Sequence, residues 1–377
     1  MRQVMRRRWS SWAILGVALV SLPALAETGF DPSDSTTWVI PEADLYDVDA
    51  RGELAWAVGY WGAALRSTDS GRSWSAAPTP TDESLYAVAF ADESNGWAVG
   101  AHGTVLRSTD GGLTWNALRV TVSDDFGDER PLDSSLFDVA AVSENEAWVV
   151  GDFGVILHTR NGRDWSQVVI SEETLADDNL PDRIFNAVDF TDREHGWIAG
   201  EFGTLLRTLD GGETWVGERS VIGSAEEVYL MDLAATPDGS AFTGGIGGVV
   251  LETSDGGATW TTAEVATGAG LFGVARRDSR AILVGDRGVI FVTADGGETW
   301  SEPSHPRLFN WLRAAAFGPG SLAYIVGENG VVLRSEDGGA TWEKSAGEEP
   351  PPLEGISVPN PSRSTEPGRQ DTARDQH

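Results

Sequence analysis

The sequence predicts an all-β fold, a seven-bladed β-propeller of four-stranded blades. Three observations predict it: one short motif recurs seven times, each copy belongs to a unit with four short apolar runs, and the composition is rich in Gly and Trp. The chain has 377 residues, with 45 Gly and 16 Trp, as expected for many short strands joined by tight turns. That length allows one large β domain.

The recurring motif has the form Ser/Thr-x-Asp-x-Gly-x-Thr-Trp and is known as the Asp-box or BNR repeat. Successive copies are 40 to 50 residues apart, measured between their Trp residues. The third copy is one residue short and has Asn in place of Asp. A period near 45 residues is typical of propeller blades. The seven copies contain the pairs Asp69 and Trp74, Asp110 and Trp115, Asn161 and Trp165, Asp210 and Trp215, Asp255 and Trp260, Asp295 and Trp300, and Asp337 and Trp342.

Each unit holds four short apolar runs separated by turn residues. In the second unit they are Leu85–Phe90, Trp97–Gly100, Thr104–Ser108 and the residues from Thr114 onward. Alternation of apolar and polar residues, rich in Val, Leu and aromatics, predicts strands. One such blade cannot bury both of its faces, whereas a ring of seven buries them and leaves no exposed sheet edge. A solenoid would need capping ends and a helical repeat a helical period, so both fit less well.

Two segments compete for the outer position of the blade that closes the ring. Trp38-Val39-Ile40 follows a Ser-Thr-Thr stretch and resembles the last strand of a unit. The fourth run of the seventh unit, from Trp342, could occupy the same place. The sequence leaves both possibilities open.

Both ends of the chain are expected to lie outside the propeller, which we assign to residues 27–345. Residues 1–26 resemble a secretory signal peptide, with four arginines, a short apolar core and an Ala-Leu-Ala site that predicts cleavage after Ala26. The apolar core is too short to span a bilayer. We therefore expect a soluble, exported mature protein without a membrane span, in the periplasm or an equivalent lumen. Residues 346–377 are rich in Pro and charged residues and lack aromatics, which predicts a disordered tail.

The charge and the missing cysteines exclude several classes of function. The chain has 58 acidic and 27 basic residues, a net charge of −31, and loss of the four arginines in residues 1–26 takes it to −35. Nucleic-acid binding needs a local excess of Lys and Arg, so no nucleic acid is expected as a partner. Without cysteine, disulfides, Cys-ligated zinc, iron–sulfur clusters, thiol nucleophiles and a lipid-modified cysteine are excluded.

The Asp-boxes are predicted to be structural. Their Asp and Ser/Thr side chains can hydrogen-bond turn amides between the third and fourth strands, the glycines allow unusual backbone angles, and the Trp packs across the turn. Seven copies of one residue at one turn cannot all serve a single site, so we assign them no catalytic or metal-binding role. The Gly-x-x-Gly frame, as at Gly100 and Gly103, is likewise predicted to be a hairpin turn and not a phosphate-binding loop.

Asp-boxes combined with a Trp-Ala-Val-Gly…Gly…Leu-Arg frame resemble the photosystem II stability/assembly factor family, which are seven-bladed propellers of the thylakoid lumen and the cyanobacterial periplasm. The resemblance covers about residues 38–345, and residues 96–115 and 196–215 match best. It implies a non-catalytic factor, without cofactor or metal, that binds a membrane protein or membrane protein complex and assists its assembly or stability. In a photosynthetic host that partner is photosystem II, whose D1 protein the family assists with an arginine-rich face. We also expect a monomer.

An arginine set of this kind is only partly present. Arg follows the third-strand Leu in four units, whereas His158, Glu252 and Val292 take the position in the other three. The resemblance implies a partner contact for these arginines. The alternative is that they pair with acidic neighbours on a solvated strand face, at about 0–1 kcal/mol per pair. The four candidate partner-binding residues are Arg66, Arg107, Arg207 and Arg334.

Units three and four carry acidic insertions, residues 121–135 and 171–183, between a fourth strand and the next first strand. In a propeller such connections emerge on one face, so the two insertions should lie side by side. Loops on a rigid scaffold often carry function, which makes them candidates for docking a basic partner or for binding calcium, although neither has EF-hand spacing. Plain solvated loops are the alternative. The candidate residues are Asp124, Asp125, Asp128, Glu129, Glu172, Glu173, Asp177 and Asp178.

A carbohydrate-binding or glycosidase function is the alternative to partner binding, because Asp-boxes also occur in sialidases and other glycosidases. A glycosidase needs two carboxylates at a defined separation, and a sialidase uses a Tyr nucleophile. Only Tyr60 and Tyr229 lie outside the repeated Tyr positions, and neither has a recognisable Glu partner. We therefore predict no enzymatic activity.

Overall fold

The computed structural model describes residues 43–123, 128–170, 183–219 and 228–346. Within these ranges the chain forms seven antiparallel blades, each from one repeat unit and each with its strands paired in sequence order. The first strand of every blade packs against the first strands of both neighbouring blades, and the seventh blade in this way meets the first. The predicted seven-bladed, all-β propeller is confirmed.

The strand bounds follow the repeat. Blades 1 and 2 consist of β1 (Leu45–Arg51), β2 (Leu54–Gly59), β3 (Ala64–Ser67), β4 (Ser75–Ala76), β5 (Leu85–Phe90), β6 (Gly96–Gly100), β7 (Val105–Ser108) and β8 (Asn116–Leu118). A hairpin follows, formed by β9 (Thr121–Ser123) and β10 (Glu129–Pro131). Blades 3 and 4 consist of β11 (Leu136–Ser143), β12 (Glu146–Gly151), β13 (Ile156–Thr159), β14 (Ser166–Gln167), β15 (Phe185–Phe190), β16 (Gly196–Gly200), β17 (Thr204–Thr208) and β18 (Val216–Arg219). Blades 5 to 7 consist of β19 (Leu230–Ala235), β20 (Ala241–Gly245), β21 (Val250–Thr253), β22 (Thr261–Thr262), β23 (Leu271–Arg277), β24 (Arg280–Gly285), β25 (Ile290–Thr293), β26 (Leu312–Phe317), β27 (Ala323–Gly327), β28 (Val332–Ser335) and β29 (Glu343–Ala346).

Burial explains why the second strands have the most apolar sequences. All five residues of β6 are buried, and Trp97 within it is fully enclosed. This strand lies between two others of its own sheet and between two neighbouring blades, so both of its faces need apolar side chains. The fourth strand β8 lies at the outer edge and is largely exposed. The Trp-Ala-Val-Gly sequence therefore marks the core strand of a blade.

Blade 6 departs from the four-stranded pattern. Its sheet has three strands, and a single bridge between Val292 and Ser301 replaces the fourth. Pro303 follows two residues later, and a proline cannot donate the ladder hydrogen bond that would extend the strand.

The ring is closed by the fourth run of unit seven, which forms β29 at the outer edge of blade 7. Side chains join this blade to blade 1: Arg334 Nε donates to the Ser70 carbonyl at 2.6 Å, and Trp74 Nε1 donates to Ser345 Oγ at 3.3 Å. Strand β29 includes Ala346, the first residue that the sequence assigned to the tail. The rest of the tail, the signal peptide and Trp38-Val39-Ile40 lie outside the described residues.

The turns define two faces of the propeller. On the face that we call the Asp-box face, the Asp-box turns of blades 1, 2 and 4 to 7 bond to the turn between the first and second strands, as when Gly111 N donates to the Ser94 carbonyl at 2.9 Å. On the opposite face, the insertion face, the turn between the second and third strands bonds to the residue before the first strand. Ala101 N, for example, donates to the Ser84 carbonyl at 2.9 Å. The Gly-x-x-Gly frame is this second hairpin turn, as predicted.

Each Asp-box is held together by its own side chains. Asp110 Oδ1 accepts from Ser108 Oγ and from Thr114 N, both at 2.9 Å, and its Oδ2 accepts from Thr114 Oγ1 at 2.6 Å. Ser108 Oγ in turn accepts from Gly112 N at 2.8 Å. The same bonds recur in the other five Asp-containing copies. These bonds favour the charged carboxylate, and they lower the pKa of Asp69 to about 2, with the Ser73 hydroxyl contributing most.

The degenerate third copy keeps this turn geometry, although the donor and the acceptor of one side-chain hydrogen bond are exchanged. Asn161 Oδ1 accepts from Asp164 N at 2.8 Å, and Asn161 Nδ2 donates to Asp164 Oδ2 at 2.9 Å. Asp164 stands where the other copies have a Ser or Thr hydroxyl donor, so an amide must replace the carboxylate at residue 161.

The Asp-box of one blade packs against the preceding blade. A Cβ on Gly112 would lie 2.6 Å from Nε1 of Trp56, which belongs to blade 1, so only glycine fits there. The closing Trp completes the contact: Trp215 of blade 4 meets Trp148 of blade 3 edge-on, with ring centroids 5.7 Å apart. The predicted packing of the Trp across its turn is thus also a contact between blades.

Half-buried carboxylates join the first strands around the central channel. Asp47 Oδ1 accepts from Val48 N of its own strand and Oδ2 accepts from Val88 N of the next blade, both at 2.8 Å. Asp138 and Asp232 make the same pair of bonds in blades 3 and 5. Burial raises the pKa of Asp47 to about 8 and that of Asp232 to about 6, because loss of water outweighs the bonds to the charged form.

Alanine at the second Asp-box glycine should destabilise the protein more than alanine at the first. Gly256 and Gly257 both have positive φ, 76° and 83°, so both substitutions incur a left-handed penalty of about 1–2 kcal/mol. A Cβ at residue 257 would lie 2.7 Å from Trp197 Nε1, whereas nothing lies within 4 Å of one at residue 256. Gly257→Ala should therefore cost about 1–3 kcal/mol more in the free energy of unfolding by urea. Equal losses would contradict this packing.

The free energy of unfolding should fall as the pH rises from about 4 to about 8. The folded chain holds protons on Asp47 and Asp232 that the unfolded chain, with carboxyl pKa values near 3.8, has already released. Their contribution is complete below pH 3.8 and is lost as the pH passes about 6 and about 8. Asp47→Asn should flatten the upper part of this slope, whereas the exposed-site control Asp128→Asn should not. A slope that Asp47→Asn leaves unchanged would refute the assignment.

Candidate functional site

Hydrogen bonds to the next blade are made by Arg66, Arg107 and Arg334. Arg66 Nε donates to the Gly111 carbonyl at 2.6 Å. An Arg107 terminal nitrogen donates to the Glu144 carbonyl at 2.6 Å, and Arg334 bonds to blade 1 at ring closure. Arg334 is only 2% exposed and also pairs with Glu336 at 2.7 Å.

The repeat arginines therefore differ in what they can offer a partner. Arg66, Arg107 and Arg207 are half-buried, and Arg207 lies in β17 opposite Trp197. A guanidinium has five N–H donors. Arg66 and Arg107 use one or two of them in the bonds between blades, so both keep donors for a further contact.

Histidine replaces the arginine in blade 3 and makes a different bridge. His158 stacks on Trp148 with ring centroids 3.9 Å apart, and its Nε2 lies 3.2 Å from Glu146 Oε1. The other oxygen of Glu146 lies 3.5 Å from Nε of Arg193, which belongs to blade 4. Burial lowers the pKa of His158, the more so because Arg160 is near.

An open cleft of about 460 Å³ lies on the Asp-box face where blades 3 and 4 meet. We call it the arginine cleft. Its Glu146 is engaged by His158 and Arg193, and its Glu144 carbonyl and Asn145 side chain bind Arg107. The lining residues are Ser143, Glu144, Asn145, Glu146, Arg160 and Arg193.

Three guanidinium groups lie at this cleft: Arg160 and Arg193 are in its lining, and Arg107 bonds to its Glu144 carbonyl. Burial lowers the pKa of Arg107, and the nearby charge of Arg163 lowers it further. Sequence reasoning selected only Arg107. The signal for Arg160 and Arg163 was available, because both flank Asn161 in the one Asp-box that departs from the pattern.

The acidic insertions are only partly described. Asp128 and Glu129 lie in the hairpin after blade 2, where Glu129 Oε2 accepts from Thr121 Oγ1 at 2.7 Å. Within the described ranges no group of three or more His, Asp or Glu residues could hold a metal ion. The other insertion residues lie outside the described part of the chain, so the calcium and docking hypotheses stay predictions for them: Asp124, Asp125, Glu172, Glu173, Asp177 and Asp178.

Comparisons with solved structures show the same fold. The chain is similar to "YCF48 bound to D1 peptide" at 23% identity and TM-score 0.54, over 71% of this chain and 82% of that one. It is similar to YCF48 from Cyanidioschyzon merolae at 21% identity and TM-score 0.62, over 78% and 96%. A GH74 xyloglucanase from Xanthomonas campestris is similar at 16% identity and TM-score 0.61, over 81% of this chain and 55% of that one. Identities this low show the fold alone.

The family is identified by comparing the sequence with protein-family models. No curated protein matches it, and no helix in the described ranges is long and apolar enough to cross a membrane. The family model described as photosynthesis system II assembly factor YCF48 matches residues 67–184, 178–302 and 271–355, which together span most of the chain. The chain therefore belongs to the photosynthesis system II assembly factor YCF48 family.

Proposed function

We propose that the protein is a non-catalytic, exported factor that binds a membrane protein or membrane protein complex and assists its assembly or stability. Membership of the YCF48 family supports this proposal, as does the solved YCF48 that binds a D1 peptide. The partner is a photosystem II protein where the host is photosynthetic and another envelope complex elsewhere. The protein acts as a monomer, without a cofactor, after cleavage at Ala26.

The observation that carries the proposal is the arginine cleft. Three arginines are gathered on one face of a chain whose net charge is −31. An arginine fork binds a carboxylate through two parallel hydrogen bonds, which gives both affinity and orientation. The cleft therefore suits an extended peptide that carries carboxylates, and Arg66, Arg107 and Arg207 extend the contact along the Asp-box face. Arg334, buried at ring closure, has the smallest part in it.

A glycosidase or carbohydrate-binding role is the second candidate, because the fold is shared with a xyloglucanase. That similarity of fold identifies no catalytic or carbohydrate-binding residue in this chain. A factor of the proposed kind should release no reducing sugar from xyloglucan or from fluorogenic sialosides. Hydrolysis that is lost on substitution of a carboxylate would favour the enzyme.

Arginine-cleft substitutions should weaken capture of the partner. We would express residues 27–377 with a tag in the native host, crosslink the envelope mildly and identify the captured proteins by mass spectrometry. Arg160→Ser with Arg193→Ser removes two charge-assisted contacts worth about 1.5–3 kcal/mol each, so recovery of the partner should fall at least about tenfold. The control is Arg287→Ser, an exposed arginine on the insertion face.

Two results would contradict different parts of the proposal. If the unsubstituted protein captures no membrane protein, the assembly role fails. If it captures one equally well with and without the cleft arginines, the role stands and the cleft is not the site.

A further inference from the structure

A second, chemically different surface lies on the insertion face of blades 3 to 5. We call it the aromatic surface. Phe153 is 64% exposed and Phe202 is 40% exposed, although both are large apolar side chains. Large exposed apolar side chains that lie together on a folded protein mark a binding surface. The aromatic surface consists of Phe153, Phe202, Tyr229 and Ile246.

Backbone bonds and ring contacts link these four residues. Gly154 N, next to Phe153, donates to the Arg183 carbonyl at 2.7 Å, and the Arg183 guanidinium lies over the Phe202 ring at 5.6 Å. The Phe202 ring lies 6.0 Å from Tyr229, whose carbonyl accepts from Ile246 N at 3.0 Å. Arg183 is 6% exposed, so Phe202 rests on a buried support and presents its remaining surface to solvent.

Both phenylalanines adopt a backbone conformation that is unfavourable for an aromatic residue. Phe153 and Phe202 occupy the tips of the turns between second and third strands, with φ of 52° and 55°. The left-handed region costs such residues about 1–2 kcal/mol each. The corresponding tips in the other five blades also have positive φ. Gly247 and Asn329 adopt that region more easily than the remaining three, which are Trp61, His102 and Arg287. Burial in the protein does not explain why phenylalanine occupies these two tips.

An acidic residue precedes each phenylalanine in its turn. Asp152 precedes Phe153 and is half-buried. Glu201 precedes Phe202, forms an isolated backbone bridge with Tyr229, and accepts one bond from Ile184 N through Oε2 at 3.3 Å. An aromatic ring next to a carboxylate attracts a cation through the ring face and through direct charge pairing. The net charge of −31 adds to that attraction.

We propose that the aromatic surface binds an extended partner segment in which basic and apolar side chains alternate. Apolar side chains of the segment pack on Phe153, Phe202 and Ile246, while Lys or Arg side chains pair with Asp152 and Glu201. The surface spans three blades, which is more than a single side chain can cover. This contact goes beyond the arginine cleft, because it lies on the opposite face and selects the opposite charge.

A labelled decapeptide of alternating Leu and Arg, blocked at both ends, tests this assignment by fluorescence anisotropy against residues 27–377. The variant is Phe153→Asn with Phe202→Asn, because blade 7 already carries Asn329 at the same left-handed position. The matched control is Leu113→Asn with Leu209→Asn, two leucines on the Asp-box face that are 56% and 53% exposed. We expect the aromatic variant to weaken the peptide Kd at least about tenfold, and the control to leave it within about twofold.

Each outcome of this experiment supports or overturns the proposed binding surface. Equal affinity of both variants, or no binding by the unsubstituted protein, would overturn the proposal. Binding to phosphatidylglycerol vesicles that the aromatic variant abolishes, with peptide binding unchanged, would assign the surface to a lipid instead. Arg160→Ser with Arg193→Ser should leave peptide affinity unchanged, so a failure here is distinguishable from a failure of the arginine cleft. Thermal unfolding of the aromatic variant should match or exceed that of the unsubstituted protein, because asparagine relieves backbone strain.

Discussion

The structure depends on the contact between each Asp-box turn and the blade before it. Within the turn, Asp110 and Ser108 bind the backbone and make a rigid projection. Between blades, Gly112 lets Trp56 approach, and Trp56 Nε1 and Arg66 Nε both donate to the Gly111 carbonyl, at 2.8 and 2.6 Å. One short motif thus shapes a turn and also joins two sheets. Its repetition around seven blades closes the ring without a disulfide.

A scaffold that is joined at every blade can vary at individual positions. Blade 3 shows this most clearly: its Asp-box has Asn161 and its repeat arginine is His158, yet the turn and the bridge to blade 4 both persist. That variation admits Arg160 and Arg163 beside the turn and creates the arginine cleft. The aromatic surface arises in the same way, by changes at the tips of turns that leave the strands intact. The two faces therefore carry opposite chemistry on one frame.

Much of the fold could be predicted from the sequence, because local chemistry repeats. Gly, Asp and Trp at fixed offsets identify a turn, and its spacing identifies a blade. The bonding of the repeat arginines could not be predicted, because spacing along one chain does not show that Arg66 reaches a carbonyl 45 residues away in the next blade. The exposure of Phe153 and Phe202 could not be predicted either, because the sequence of a hairpin does not show whether other parts of the chain cover its turn. The sequence also could not show which segment forms the outer strand of blade 7, because only the pairing of β28 with β29 decides it.

The most direct test of the account is site-specific photocrosslinking in the native envelope. A benzophenone amino acid would replace Ser143 in the arginine cleft, and in a second protein Asp278, in the corresponding first-to-second-strand turn of blade 6. The account predicts that light links residue 143 to an integral membrane protein and leaves residue 278 unlinked. Equal crosslinking at both positions, or products at residue 143 that contain no membrane protein, would contradict it.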